Sequence, residues 1–231
     1  MKNILAASTS TLYGEKYLSY LKEDLIKLFQ HTDQVLFIPF ARPSGMSHDS
    51  YTERAIPFFK SMGKRLIGIH QTDDPLTAIK EAKGIFTGGG NTFVLVDQLH
   101  RSGLMQPLRE ALLDGTPYLG TSAGSNICGP SMQTTNDMPI VYPPSFKTMG
   151  LIPFNINAHY LDPSSDSEHM GETRATRIAE FHTQNTVPVI GLREGSWIRV
   201  TGEEIKLQGS LTARMFEQNK EAYEINTGSI L

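Results

Sequence analysis

The feature that most restricts the fold is an alternation in the first 120 residues. Short, densely apolar runs are separated by longer segments in which apolar residues recur at helical spacing. The short runs are Ile4 to Ala7, Val35 to Phe40, Leu66 to Ile69, Ile85 to Thr87 and Tyr118 to Gly120. Runs this short and this apolar read as strands buried on both faces. The first intervening segment, Glu15 to Phe29, places Leu18, Leu21, Leu25, Leu28 and Phe29 on one helical stripe. Tyr51 to Met62, Pro75 to Ala82, Thr92 to Arg101 and Met105 to Leu113 carry further helical patterns. This alternation predicts an α/β fold, a mostly parallel sheet flanked by helices on both faces. In such sheets, sites form at the carboxyl ends of strands.

The second half is less regular. Residues 130 to 170 are rich in Pro, Ser, Asn and Asp, with one short apolar piece at Leu151 to Ile156. A helix is expected over Glu172 to His182 and another buried strand over Val187 to Leu192. Trp197 to Val200, Ile205 to Gln208, Ala213 to Phe216 and Ala222 to Ile225 alternate and are split by turn residues. They are expected to form antiparallel strands at one edge. With no linker, repeat or low-complexity tract, residues 1–231 read as a single domain.

Charge and cysteine content narrow the function classes. A net charge of -3 and a pI near 6.2 argue against a broad nucleic-acid surface. A single cysteine, Cys128, excludes an internal disulfide and a cysteine-rich zinc site, and fits a reducing compartment. No apolar run approaches the roughly 18 residues of a membrane span. The first eight residues resemble a buried strand more than a signal peptide. The expectation is a cytoplasmic protein, monomeric or a small homo-oligomer, without a nucleic-acid or membrane partner. The chain lacks H-E-x-x-H and related metal spacings, so no metal is expected.

Gly120-Thr121-Ser122-Ala123-Gly124 matches G-x-S-x-G after a strand and before a helix. A sharp strand-to-helix turn of this kind strains the serine backbone and exposes its hydroxyl. A nucleophilic serine also needs oxyanion donors and a base. Gly88-Gly89-Gly90-Asn91 ends the neighbouring strand, and its glycines let a backbone N–H approach a substrate oxygen. Gly90 and Ala123, the residue after the serine, are the expected donors. The same loop does not read as a nucleotide site. No G-K-[ST] follows, and G-x-G-x-x-G fails at Phe93.

Seven histidines compete for the role of base. His31, His100 and His182 sit in or near helices. His48, His70 and His169 lie in loops or at strand ends without a partner signal. His159 differs, because it follows the strand-like Phe154-Asn155-Ile156-Asn157-Ala158 and so falls at a strand end. Two carboxylates could orient it. Asp137 lies in the loop downstream of the serine, and Glu194 ends the strand Val189-Ile190-Gly191-Leu192-Arg193. Cys128 lies six residues past Ser122, inside the expected helix, and reads as a small buried residue rather than a nucleophile.

Several strings, in this order, resemble the peptidase E (α-aspartyl dipeptidase) family over most of the chain. They are Val35-Leu36-Phe37-Ile38-Pro39-Phe40-Ala41, Gly88-Gly89-Gly90-Asn91-Thr92-Phe93, Ser122-Ala123-Gly124 and Thr134-Thr135-Asn136-Asp137-Met138-Pro139-Ile140-Val141. Asn157-Ala158-His159, Gly171-Glu172-Thr173-Arg174 and Gly191-Leu192-Arg193-Glu194-Gly195 continue the series. The resemblance implies a glutamine-amidotransferase-like three-layer sandwich. It implies a serine peptidase that hydrolyses dipeptides with N-terminal aspartate, without metal or cofactor. It makes Ser122 the nucleophile and His159 the base, with Asp137 as the third member and Glu194 as its rival. An aspartyl side chain needs a guanidinium partner. Arg174 carries that role by motif position, with Arg177, Arg193 and Lys147 as alternatives. Thr121 departs from the bulkier tryptophan expected before the serine. It is similar to the sister family that cleaves cyanophycin, which makes such an enzyme, or an esterase on the same scaffold, the alternative reading.

Overall fold

In the computed structural model, residues 1–43, 45–163 and 171–231 are described; His169 lies outside them. Eleven strands are described, in two sheets. The larger has the order β3-β2-β4-β5-β1-β8-β9, with β1 Asn3–Ala7, β2 Gln34–Ile38, β3 Arg65–Gly68, β4 Ile85–Thr87, β5 Tyr118–Thr121, β8 Ser196–Thr201 and β9 Glu204–Gly209. Its first five strands run parallel, and β8 and β9 add antiparallel. The smaller has the order β11-β10-β7-β6, with β6 Asn155–Ala158, β7 Val189–Leu192, β10 Ala213–Phe216 and β11 Tyr223–Ile225. Only the β6–β7 pair in it is parallel.

Alternate residues of the parallel strands face opposite helical layers, as a pleat of period two requires. Ile4, Ala6, Leu36 and Ile38 join one core with α3 Pro75–Glu81, α4 Thr92–Arg101 and α5 Met105–Leu113. Leu5, Ala7, Val35 and Phe37 join the other with α1 Lys22–Leu28 and α2 His48–Ser61. Side chains that accept backbone N–H groups cap the starts of these helices: Ser47 for α2, Asp74 for α3 and Asn91 for α4. No helix among the described residues is long and apolar enough to cross a membrane.

Three expectations change in detail. The stripe from Leu18 to Phe29 is buried as expected. Leu18, however, adopts φ 56 and starts a 3-10 turn, so regular helix begins only at Lys22. The helix expected from Glu172 is shorter and becomes α7 Arg174–Phe181, capped by Thr173, whose hydroxyl accepts the Thr176 N–H at 3.0 Å. The antiparallel strands expected at one edge divide between the two sheets. The chain changes sheets at Gly195 and Gly209, both at positive φ (91 and 111). A Cβ on Gly209 would strike the Gly195 carbonyl, and at Gly195 the left-handed φ itself favours glycine.

Candidate active site

Ser122 stands between β5 and the short helix α6 Ala123–Asn126. Its backbone has φ 52 and ψ -111, a region that costs a non-glycine residue roughly 1–3 kcal/mol. Three backbone hydrogen bonds hold it there. Its N–H donates to Ala7 O at 3.0 Å, and its carbonyl accepts from Ser125 N and Asn126 N, each at 2.9 Å. The flanking glycines are steric requirements. A Cβ on Gly120 would lie 2.5 Å from Gly124 O, and one on Gly124 would strike the Thr87 carbonyl. The small residues therefore bring α6 down onto β4 and β5, and the turn that results points the serine outward.

The Gly88-Gly89-Gly90 loop abuts this turn. A Cβ on Gly89 would lie 3.0 Å from Ser122 Cβ. Gly90 has φ 146 and packs on the Ala41 carbonyl, which also accepts Asn91 N–H at 2.7 Å. The Tyr51 hydroxyl donates to Gly89 O at 3.2 Å. The loop is thus fixed from both sides, beside the residue that bears the hydroxyl.

His159 and Glu194 leave the ends of adjacent parallel strands, because Ala158 of β6 is in register with Leu192 of β7. His159 Nε2 lies 2.9 Å from Ser122 Oγ, and its Nδ1 lies 2.6 Å from Glu194 Oε1. Serine, histidine and glutamate therefore form one continuous hydrogen-bonded row. The imidazole and the carboxylate are each about half exposed, with 39% and 46% of their side chains open to solvent. An ion-pair network stands behind them. Arg193 binds Asp162 through Nε at 2.7 Å and Nη2 at 2.8 Å, and Glu224 through Nη1 at 2.8 Å. Through Asp162 the guanidinium ties the segment just past His159 to the residue that precedes Glu194. Hydrogen bonds from Arg193 keep Asp162 and Glu224 below the usual carboxylate range.

Asp137 does not reach the histidine. One of its oxygens, Oδ2, accepts three hydrogen bonds: from Thr92 N at 2.7 Å, Thr92 Oγ1 at 2.6 Å and Thr135 Oγ1 at 2.9 Å. Asn126 of α6 donates to Thr92 Oγ1 at 3.0 Å, which ties this cluster to the serine helix. The carboxylate thus serves the first turn of α4, and the acid beside His159 is Glu194. Arg174 begins α7. Burial lowers its pKa, the Arg177 charge lowers it further, and Asp137 pulls it back up. Asp137 and Arg174 are therefore electrostatic neighbours. Among the alternatives, Arg177 pairs with Glu172 at 3.6 Å, and Arg193 is occupied as described. Burial pushes the Cys128 thiol up, away from thiolate chemistry.

Sequence reasoning missed Ser8, which donates from Oγ to Leu192 O at 2.7 Å and accepts His159 N–H at 2.9 Å. It also missed the Thr92–Thr135–Asn126 cluster. A serine or threonine after a strand or at a helix start has no local signature of such a long-range partner.

Residues 4–208 match the family model for peptidase family S51. The chain is 45% identical over 229 residues to a protein of Streptomyces coelicolor named peptidase E, covering 99% of this chain and 93% of that one. It is 45% identical over 219 residues to a Drosophila melanogaster protein named probable alpha-aspartyl dipeptidase, covering 94% of this chain and 90% of that one. Two solved structures share the fold. One is a putative peptidase E from Listeria monocytogenes (TM-score 0.65, 23% identity, 91% of this chain and all of that one). The other is a peptidase from an acI-B1 actinobacterium (TM-score 0.75, 17% identity, all of this chain and 96% of that one). With a strained serine at a strand-to-helix turn, a glycine loop beside it and relatives matched along nearly their whole length, the chain belongs to peptidase family S51, the serine peptidases that include the peptidase E dipeptidases.

Proposed function

We propose that the protein hydrolyses dipeptides with an N-terminal aspartate through an acyl-enzyme at Ser122. The observation that carries this reading is the row Ser122–His159–Glu194, with contacts of 2.9 and 2.6 Å. Glu194 accepts the Nδ1 proton and so leaves Nε2 free to take the proton of Ser122. Oγ then attacks the scissile carbonyl, and the N–H groups of Gly90 and Ala123 receive the oxyanion. His159 Nε2 returns the proton to the leaving amine. Water, deprotonated at the same nitrogen, then cleaves the ester.

An Asp-Xaa substrate brings a β-carboxylate and an α-ammonium close to the reacting carbonyl. Arg174 and Asp137 are neighbouring charges of the complementary signs. Asp137 Oδ2 is consumed by Thr92 and Thr135, while Oδ1 makes no hydrogen bond among the described residues. Arg174 receives the β-carboxylate and Asp137 Oδ1 the ammonium. The name of the Drosophila relative supports the same substrate class.

The decisive experiment compares Ser122→Ala and Arg174→Met on Asp-Leu and Ala-Leu. Ser122→Ala should abolish cleavage and phosphonate labelling with an unchanged melting temperature; retained activity refutes the nucleophile. Arg174→Met should lower kcat/KM for Asp-Leu by roughly 10- to 100-fold, the worth of a lost charged hydrogen bond. Ala-Leu should be little affected. An equal loss on both substrates removes Arg174 from recognition.

A further inference from the structure

We infer that Ser8 is a positioning residue that sets base and acid in register with the nucleophile. This rests on the Ser122–His159–Glu194 reading. Nucleophile and base come from different sheets, so no strand pairing fixes the distance between them. Ser8, the residue after β1, is fully buried and spans that gap. Its Oγ donates to the carbonyl of Leu192, two residues before Glu194, at 2.7 Å. The same oxygen accepts the N–H of His159 at 2.9 Å. The preceding residue closes the other side, because Ala7 O accepts Ser122 N–H at 3.0 Å and Ser125 Oγ at 2.7 Å. Two consecutive residues of β1's end thus touch all three chain segments that carry the row.

The backbone of His159 shows why its amide needs an anchor. It has φ 55, a left-handed conformation that a side-chain-bearing residue adopts only when its surroundings hold it there. The bond to Ser8 Oγ holds that amide. A hydroxyl has one proton to give and lone pairs to accept, and here both capacities are used by the segments that must agree. Alanine at this position would free the histidine amide and the Leu192 carbonyl to shift independently. A misplacement near 1 Å in a catalytic group lowers rate by about 100-fold.

The test is Ser8→Ala beside Thr32→Ala in the full-length enzyme. Thr32 makes a bond of the same kind, Oγ1 to Lys83 O at 2.6 Å, just ahead of β2 and β4, at the opposite end of the parallel strands. Both variants should melt at lower temperature. Ser8→Ala should also lose roughly 10- to 100-fold in kcat on Asp-Leu and in the rate of phosphonate labelling, with KM within twofold. The far-downfield NMR resonance of the His159–Glu194 proton should weaken. Thr32→Ala should keep wild-type kcat. If Ser8→Ala does not melt cooperatively, Ser8→Cys, with its weak thiol donor, carries the same comparison. A folded Ser8 variant with wild-type kcat and labelling rate overturns the inference. If Ser122→Ala is inactive at the same time, the mechanism itself stands, and the two failures are distinguishable.

Discussion

Replacing Glu194 with glutamine keeps size and hydrogen-bonding atoms and removes the charge. In the proposed attack by Ser122 the imidazole becomes an imidazolium, and its Nδ1 lies 2.6 Å from Glu194 Oε1. Two unit charges at that separation attract by about 2 kcal/mol in bulk water and about 6 kcal/mol at the effective dielectric near a protein surface. Because 39% and 46% of the two side chains are exposed, water screens the pair. The lower half of the range applies, roughly 2 to 4 kcal/mol. At about 1.4 kcal/mol per tenfold, kcat should fall by roughly 30- to 700-fold. KM should change little, since the charge acts on a proton transfer and not on the bound dipeptide. The assay is leucine release from Asp-Leu at saturating substrate, with the melting temperature followed in parallel. Asp137→Asn is the control and should act in the opposite manner, raising KM through the lost ammonium contact. A folded Glu194→Gln enzyme within threefold of wild-type kcat refutes the assignment. A kcat loss confined to Asp137→Asn would transfer the role to Asp137.

Two further outcomes are expected. Because Cys128 is fully buried and its thiol is pushed up by that burial, iodoacetamide should leave the native enzyme fully active at neutral pH. Inactivation in step with alkylation of folded protein would contradict the reading of Cys128 as core. Asp162 and Glu224 are held below the usual carboxylate range by Arg193. Their contribution to stability is present above the unfolded values near 4 and is lost as pH falls through the folded ones. The melting-temperature gap between wild type and Arg193→Met should therefore be widest at neutral pH and narrow as the solution is acidified below about pH 4. A gap independent of pH would show that the charges do not matter.

What the sequence revealed follows from the range of the interactions involved. Strands β1 to β5 and the helices between them were legible because hydrophobic period is a local property. Ser122 was legible because its turn demands Gly120 and Gly124 within two residues on either side. His159 could be singled out by its position at a strand end. Its acid could not be chosen, because Glu194 is 35 residues away and meets it only through the pairing of β6 with β7. Asp137 looked equally eligible, since its three partners on Thr92 and Thr135 include one element 45 residues upstream. The division of the last strands between two sheets was hidden for a related reason. Alternation reports that a strand has two unlike faces, not which neighbour it joins.

The crossings at Gly195 and Gly209 also govern how this enzyme comes into being. The strands visit the larger sheet, the smaller, the larger and the smaller again. No single cut therefore yields one fragment per sheet, and a split-enzyme reconstitution would have to interleave its halves. On the ribosome, Ser122 emerges long before Glu194, and β10, which flanks the strand leading to Glu194, emerges later still. A nascent chain carries its proposed nucleophile through the synthesis of 72 further residues, from 122 to 194, without the partner that would arm it.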